Sequence, residues 1–165
     1  MNIGVIGGSR VKDEVCDIAY RVGRILAMRN VTVICGGLTG VMECVSHGVS
    51  DGNGLVVGIL PGYDPSEANR YVKIPIPTGM GYMRNFLIIR ASQAIIAIDG
   101  SAGTLSEASF AISEGKDVVS IYPISIPRTK EKEGHVYVEP DPERAVDLAI
   151  DLAKRWHLID ESSEK

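Results

Sequence analysis

Three times along this chain an apolar run ends in a glycine turn that leads into a segment with helical spacing. Residues 2–7 run into Gly8-Ser9 and then into 13–28, where Val15, Ile18, Ala19, Val22, Ile25 and Leu26 share one helical face. Residues 31–35 run into Gly36-Gly37, and residues 40–48 repeat the helical pattern. Residues 93–98 form a continuous apolar run, followed by Asp99-Gly100-Ser101-Ala102-Gly103 and a helix over 104–114. Apolar runs without alternation suit strands buried on both faces, as in a parallel sheet, and crossovers of a dozen residues or more are what parallel pairing requires.

The remaining segments fit the same scheme. Residues 55–60 read as a strand ending at Pro61-Gly62, 64–69 as an exposed connection, and 71–76 as a short strand. A helix is expected over 80–92, a strand over 118–122, a polar surface loop over 123–134 and a closing amphipathic helix over 141–156. The expected fold is α/β: a three-layer, Rossmann-like, doubly wound parallel sheet with helices on both faces. One nucleotide- or phosphate-binding domain is expected over 1–158, with a frayed tail over 159–165. In such sheets ligands sit beyond the carboxyl ends of the strands, where strand order reverses.

Composition narrows the partners. Hydrophobic residues make up 45% of the chain and charged residues 23%, an ordinary globular balance. The start leads straight into a strand-like run without a basic leader, and no apolar stretch reaches membrane-spanning length, so a cytoplasmic protein without a membrane is expected. A net charge of −4, with scattered Lys and Arg, offers no broad field for a nucleic acid. Cys16, Cys35 and Cys44 are odd in number and lack a C-x-x-C pair, which argues against a disulfide framework or a zinc knuckle. His47, His135 and His157 lie far apart without ligand spacing, so no metal site is expected and no cofactor is required for folding.

Glycine at a strand-to-helix turn lets backbone approach a ligand, and the helix start supplies free N–H donors and a partial positive charge. One such turn is an ordinary structural feature. Three in one chain, with hydroxyls beside the glycines, point to an anion site drawn from Gly7, Gly8, Ser9, Gly36, Gly37, Thr39, Gly40, Gly100, Ser101, Gly103 and Thr104.

The segments Gly36-Gly37-Leu38-Thr39-Gly40-Val41-Met42-Glu43, Thr78-Gly79-Met80 through Arg84-Asn85, and Gly100-Ser101-Ala102-Gly103-Thr104-Leu105-Ser106-Glu107 resemble a family once labelled "possible lysine decarboxylase". That family contains the cytokinin-activating phosphoribohydrolases and, on a separate branch, the molybdenum-cofactor carrier proteins. The resemblance runs from Gly4 to about Ile121. Asp99 and Ser101 stand where the hydrolases carry Pro and Gly, Asn85 where they carry Lys, and Gln93 where they carry Asp. The Arg84-Asn85 pair after Met80 looks more like the carrier branch. A carboxylate at Asp99 repels a phosphate unless it points away or is neutralised.

The resemblance implies that Arg84 and Glu107 address the phosphate and ribose of a ligand, with Met80 and Asn85 beside them. In a hydrolase they would be the catalytic pair: Arg84 fixing the phosphate, Glu107 steadying positive charge on the sugar or positioning water. Alone, Arg84 also reads as a solvated helix residue and Glu107 as a complement to a helix amino end. The favoured expectation is a binding protein for a nucleotide or a molybdopterin-type phosphorylated cofactor, without assigned turnover. The alternative is a nucleoside 5′-monophosphate phosphoribohydrolase releasing a free base. Lysine decarboxylation is not expected, because no lysine has a context suited to a pyridoxal phosphate Schiff base. The resemblance also implies a homodimer or larger homo-oligomer.

Overall fold

The computed structural model describes residues 1–163, with side chains described as far as Trp156. Seven strands form one sheet: β1 (Asn2–Ile6), β2 (Thr32–Cys35), β3 (Val56–Leu60), β4 (Ile74–Pro77), β5 (Ala94–Ala97), β6 (Val118–Ser120) and β7 (Val136–Val138). Their order is β4-β3-β2-β1-β5-β6-β7, with every pair parallel. Four helices cross between them and a fifth follows β7: α1 (Asp13–Met28), α2 (Val41–Asp51), α3 (Asn85–Arg90), α4 (Ala102–Ser113) and, last, α5 (Pro142–Ser163). The expected doubly wound α/β architecture is the observed one.

Alternation along the central strands builds two cores. Ile3 and Val5 of β1, Val33 and Cys35 of β2, and Ala94 and Ile96 of β5 face α1, α2 and α5. Their neighbours Ile6, Ile34, Ile95 and Ala97 face α3 and α4. Every one of these side chains is buried, so each strand of the central trio is apolar on both faces, which is why it reads as an unbroken hydrophobic run. Burying one such side chain is worth about 1.5–3 kcal/mol. The chain leaves β1 toward β2 on one side and reaches β5 on the other, so the order reverses between β1 and β5.

Several local expectations change. The helix expected over 80–92 begins with a 3-10 turn over Gly81–Arg84 and becomes α-helical only at Asn85. Gly81, at φ 56°, holds a left-handed conformation that a right-handed α-helix does not continue through, so the α-helical turns start only beyond it. Strand β7 falls in a segment for which no strand was expected, and it pairs with β6 at the sheet edge. Helix α5 continues past Trp156, so the tail expected over 159–165 begins inside it; residues 164–165 lie outside the described ones.

The cysteines require a correction, because a disulfide joins Cys16 to Cys44 with Cα atoms 5.4 Å apart. The pair is separated by 28 residues and belongs to no local motif. It forms because α1 and α2 pack side by side on one face of the sheet, bringing their first turns together. Cys35, at the end of β2, is the free and buried thiol.

Candidate functional site

At the carboxyl end of the sheet, over the point where order reverses, lies a cleft of about 500 Å³. Gly7, Gly8 and Ser9 after β1 form one wall, Ser101, Gly103, Thr104 and Glu107 of α4 another, and Arg84 and Asn85 the floor toward α3. Arg10, Leu38, Met42 and Tyr82 complete the lining; none of these four was singled out from sequence. Leu38, Met42 and Tyr82 lie inside the recognised segments and Arg10 directly follows the first glycine turn, so only the register of the folded turns distinguishes them. A smaller cavity of about 210 Å³ adjoins the cleft through the shared residues Tyr82, Asn85 and Glu107. Phe86 and Phe110 line it, packed edge to face with centroids 4.2 Å apart.

The second glycine turn has a different place. Gly36, Gly37, Thr39 and Gly40 do not line the cleft, nor do Met80 and Gly100. Thr39 Oγ1 donates to the Ser9 carbonyl at 3.0 Å, and the Val41 N–H donates to the Gly8 carbonyl at 3.0 Å. Gly40 sits at φ 68°, and a Cβ there would lie 2.2 Å from the Gly8 oxygen. The second turn therefore holds the first in shape, which requires glycine at 40 for both conformation and space. Met80 is partly exposed, its N–H donating to Thr78 Oγ1 at 3.2 Å.

Arg84 is not a solvated helix residue: only 6% of it is exposed. Its Nε donates to the Ile59 carbonyl at the end of β3 at 2.7 Å, Nη1 donates to Asn85 Oδ1, and Nη2 reaches the Gly36 carbonyl at 3.4 Å. Among the described residues no carboxylate makes an ion pair with it. Burial lowers its pKa from the ordinary guanidinium value, opposed mainly by the nearby Glu107. A buried cation held by neutral acceptors and bordering a cleft is suited to an anionic ligand.

Glu107 lies on the inner side of α4, half-buried. Burial pushes its carboxyl up to about 7, with Arg84 pulling it down and Asp99 pushing it up. A carboxyl poised near neutrality can give or take a proton.

Asp99 does not point away from the turn. Its Oδ2 accepts the Gly8 N–H at 2.7 Å, while Oδ1 accepts the Thr104 hydroxyl at 2.5 Å, the Ser101 hydroxyl at 3.2 Å and the Ser101 N–H at 3.3 Å. The carboxylate is neutralised by the donors of the two glycine turns that flank the switch point. Ser101 also caps α4, its Oγ accepting the Thr104 N–H at 3.4 Å. The histidines are engaged elsewhere: His47 stacks on Tyr71 and meets Asp51, and His135 meets Asp117. The side chain of His157 lies outside those described.

Comparison with known proteins follows the same lines. The SLOG cluster4 family matches residues 1–146. An uncharacterised protein of Archaeoglobus fulgidus is 44% identical over 123 residues, covering 74% of this chain and 81% of that protein. The cytokinin riboside 5′-monophosphate phosphoribohydrolase LOG of Oryza sativa subsp. japonica is 34% identical over 95 residues, 55% of this chain and 39% of the enzyme. The solved molybdenum cofactor binding protein of Rippkaea orientalis superposes with a TM-score of 0.79 at 26% identity, over 92% of this chain and 96% of that one. The resemblance carried by the glycine segments thus holds along the whole sheet, and the chain belongs to the SLOG cluster4 family.

Proposed function

We propose that this protein binds a small phosphorylated ligand, a nucleotide or a molybdopterin-type cofactor, in the cleft at the ends of β1 and β5, without assigned turnover. The observation that carries this reading is Arg84, a buried guanidinium lining the cleft with no carboxylate in ion-pair contact among the described residues. An anion there would supply the charged partner that the fold withholds. The adjoining cavity beside Phe86 and Phe110 suits a planar ring attached to that anion. The Rippkaea orientalis neighbour, a molybdenum cofactor binding protein, agrees with this reading. The test is calorimetric titration with nucleoside 5′-monophosphates and a pterin phosphate. Arg84→Ala should weaken binding by about 1.5–3 kcal/mol, the scale of a lost charged hydrogen bond. Equal affinity in both proteins would reject the assignment.

Glu107 favours a second reading, phosphoribohydrolysis of the kind named for the rice relative. A carboxyl held at about 7 beside a phosphate-binding arginine suits proton transfer during base release. Base release from nucleoside monophosphates, abolished in Glu107→Gln while binding persists, would establish it; no release in the wild type would leave the binding role.

Assembly into at least a homodimer is part of the same proposal. Met80, Tyr82, Met83 and Leu87 leave apolar surface exposed along the segment that leads into α3. A monomeric mass by light scattering would count against it.

A further inference from the structure

Behind the wall of this cleft, bonded to residues that line it, sits an anion of the chain's own. The Asp99 carboxylate collects the Gly8 N–H, the Ser101 N–H and the hydroxyls of Ser101 and Thr104, at 2.5–3.3 Å. These groups belong to two elements that meet only at the switch point, the turn after β1 and the amino end of α4. Neutral dipoles alone hold the charge, since no Lys or Arg is in ion-pair contact with Asp99 among the described residues. Donors from a glycine turn and a helix start are the groups that a phosphate would use. Gly8 is shaped for this internal partner: a Cβ there would lie 2.6 Å from Asp99 Oδ2.

We propose that Asp99 is a specificity determinant that fills the anion seat between the β1 turn and α4 with the chain's own carboxylate. The ligand's charged group is thereby kept out of that seat and left to the arginines of the cleft, the buried Arg84 and the exposed Arg10, and the end of the cleft beside Asp99 takes a neutral part of the ligand that donates hydrogen bonds, such as a sugar hydroxyl or a ring amino group. Three features of the cleft agree. A phosphate over Gly8 and Ser101 would meet the Asp99 charge at hydrogen-bonding distance, where like charges repel strongly in a partly dry site. Displacing the side chain would strip it of several charge-assisted hydrogen bonds at once. Arg84, by contrast, presents a cation with no competing ion pair among the described residues.

This inference rests on the anion-binding reading, and one experiment separates the two. Inorganic phosphate is titrated into wild type, Asp99→Gly, Asp99→Asn and Arg84→Ala, with affinity from calorimetry and backbone amide shifts from NMR. Wild-type phosphate binding that disappears in Arg84→Ala supports the anion reading; its absence from the wild type rejects that reading while leaving the Asp99 variants interpretable. For Asp99 the expected result is that the Gly8 and Ser101 amides respond to phosphate only in the variants. Asp99→Gly should bind phosphate at least about tenfold more tightly than wild type, a difference of about 1.4 kcal/mol. Asp99→Asn, which keeps the side-chain volume, should change in the same direction. The proposal is overturned if those two amides respond to phosphate in the wild type, or if neither folded variant gains affinity.

Discussion

Replacing Glu107 by Gln should remove a pH dependence from folding stability, and its size follows from the carboxyl's surroundings. In the folded chain burial holds this group up to about 7 against an ordinary 4.5, with Arg84 lowering and Asp99 raising the balance. In the unfolded chain it titrates at the ordinary value. Between those limits the folded protein keeps a proton that the unfolded chain has released, so stability declines as pH rises through the window. The contribution is fully present below about 4.5 and lost above about 7. The gap corresponds to about 3 kcal/mol, a ceiling because the carboxyl opens on a cleft and is partly screened. Glutamine has nearly the same shape and does not titrate. The stability of Glu107→Gln relative to wild type should therefore grow by up to about 3 kcal/mol between the acidic and alkaline sides of the window, or roughly 6–12 °C in Tm for a domain of this size. Urea denaturation of both proteins across that pH range measures it, and the other carboxylates cancel in the difference. A difference that stays flat, or narrows as pH rises, would refute the reasoning.

Lys116 is 5% exposed and donates to the carbonyls of Ile89, Arg90 and Ser92 at the end of α3, so Lys116→Met should strand those acceptors and cost about 2–4 kcal/mol. Unchanged denaturation midpoints would show that the cap is dispensable. Reducing the Cys16–Cys44 bond, which closes a loop of 28 residues, should lower stability by about 3–4 kcal/mol on chain-entropy grounds. Denaturation with and without reductant, beside a Cys16→Ser control, reads this directly. Gly40→Ala should destabilise by more than about 1 kcal/mol, because left-handed strain adds to the contact with the Gly8 carbonyl. A variant with wild-type stability would mean that the turn relaxes freely.

How much was legible in the sequence depended on the range of the interaction. The order of strands and helices follows from local periodicity, and the central strands were readable because their burial on both faces leaves an unbroken apolar signal. Strand β7 has a weak signal because it is a three-residue edge strand, with Val138 exposed. The disulfide was illegible for another reason: Cys16 and Cys44 meet through helix packing, not through a motif. At the candidate site, the motifs located Arg84 and Glu107 but said nothing of burial, and burial separates a solvated arginine from one suited to an anion. The contacts of the second glycine turn were not legible either: Leu38 of Gly37-Leu38-Thr39-Gly40 lines the cleft, while Thr39 and Val41 direct their donors to the carbonyls of Ser9 and Gly8.

The charges around the cleft form a connected set. Arg84 is buried without an ion pair among the described residues, although Glu107 lies close enough to influence it. Glu107 can leave Arg84 free because burial keeps its carboxyl largely protonated up to about 7. Asp99 contributes to that, since its charge raises Glu107 while its own charge is held by Gly8, Ser101 and Thr104. A second ionised carboxylate next to Arg84 would compete with any ligand anion for the guanidinium. An anion arriving at Arg84 would in turn withdraw the influence that lowers Glu107, favouring its protonated form further, so ligand binding and proton uptake at Glu107 are linked by the same geometry. The departure from the hydrolase motif at Asp99 thus changes more than one turn: it fills one group of donors, biases the proton on Glu107, and leaves Arg84 as a buried cation at the cleft with no carboxylate in ion-pair contact among the described residues.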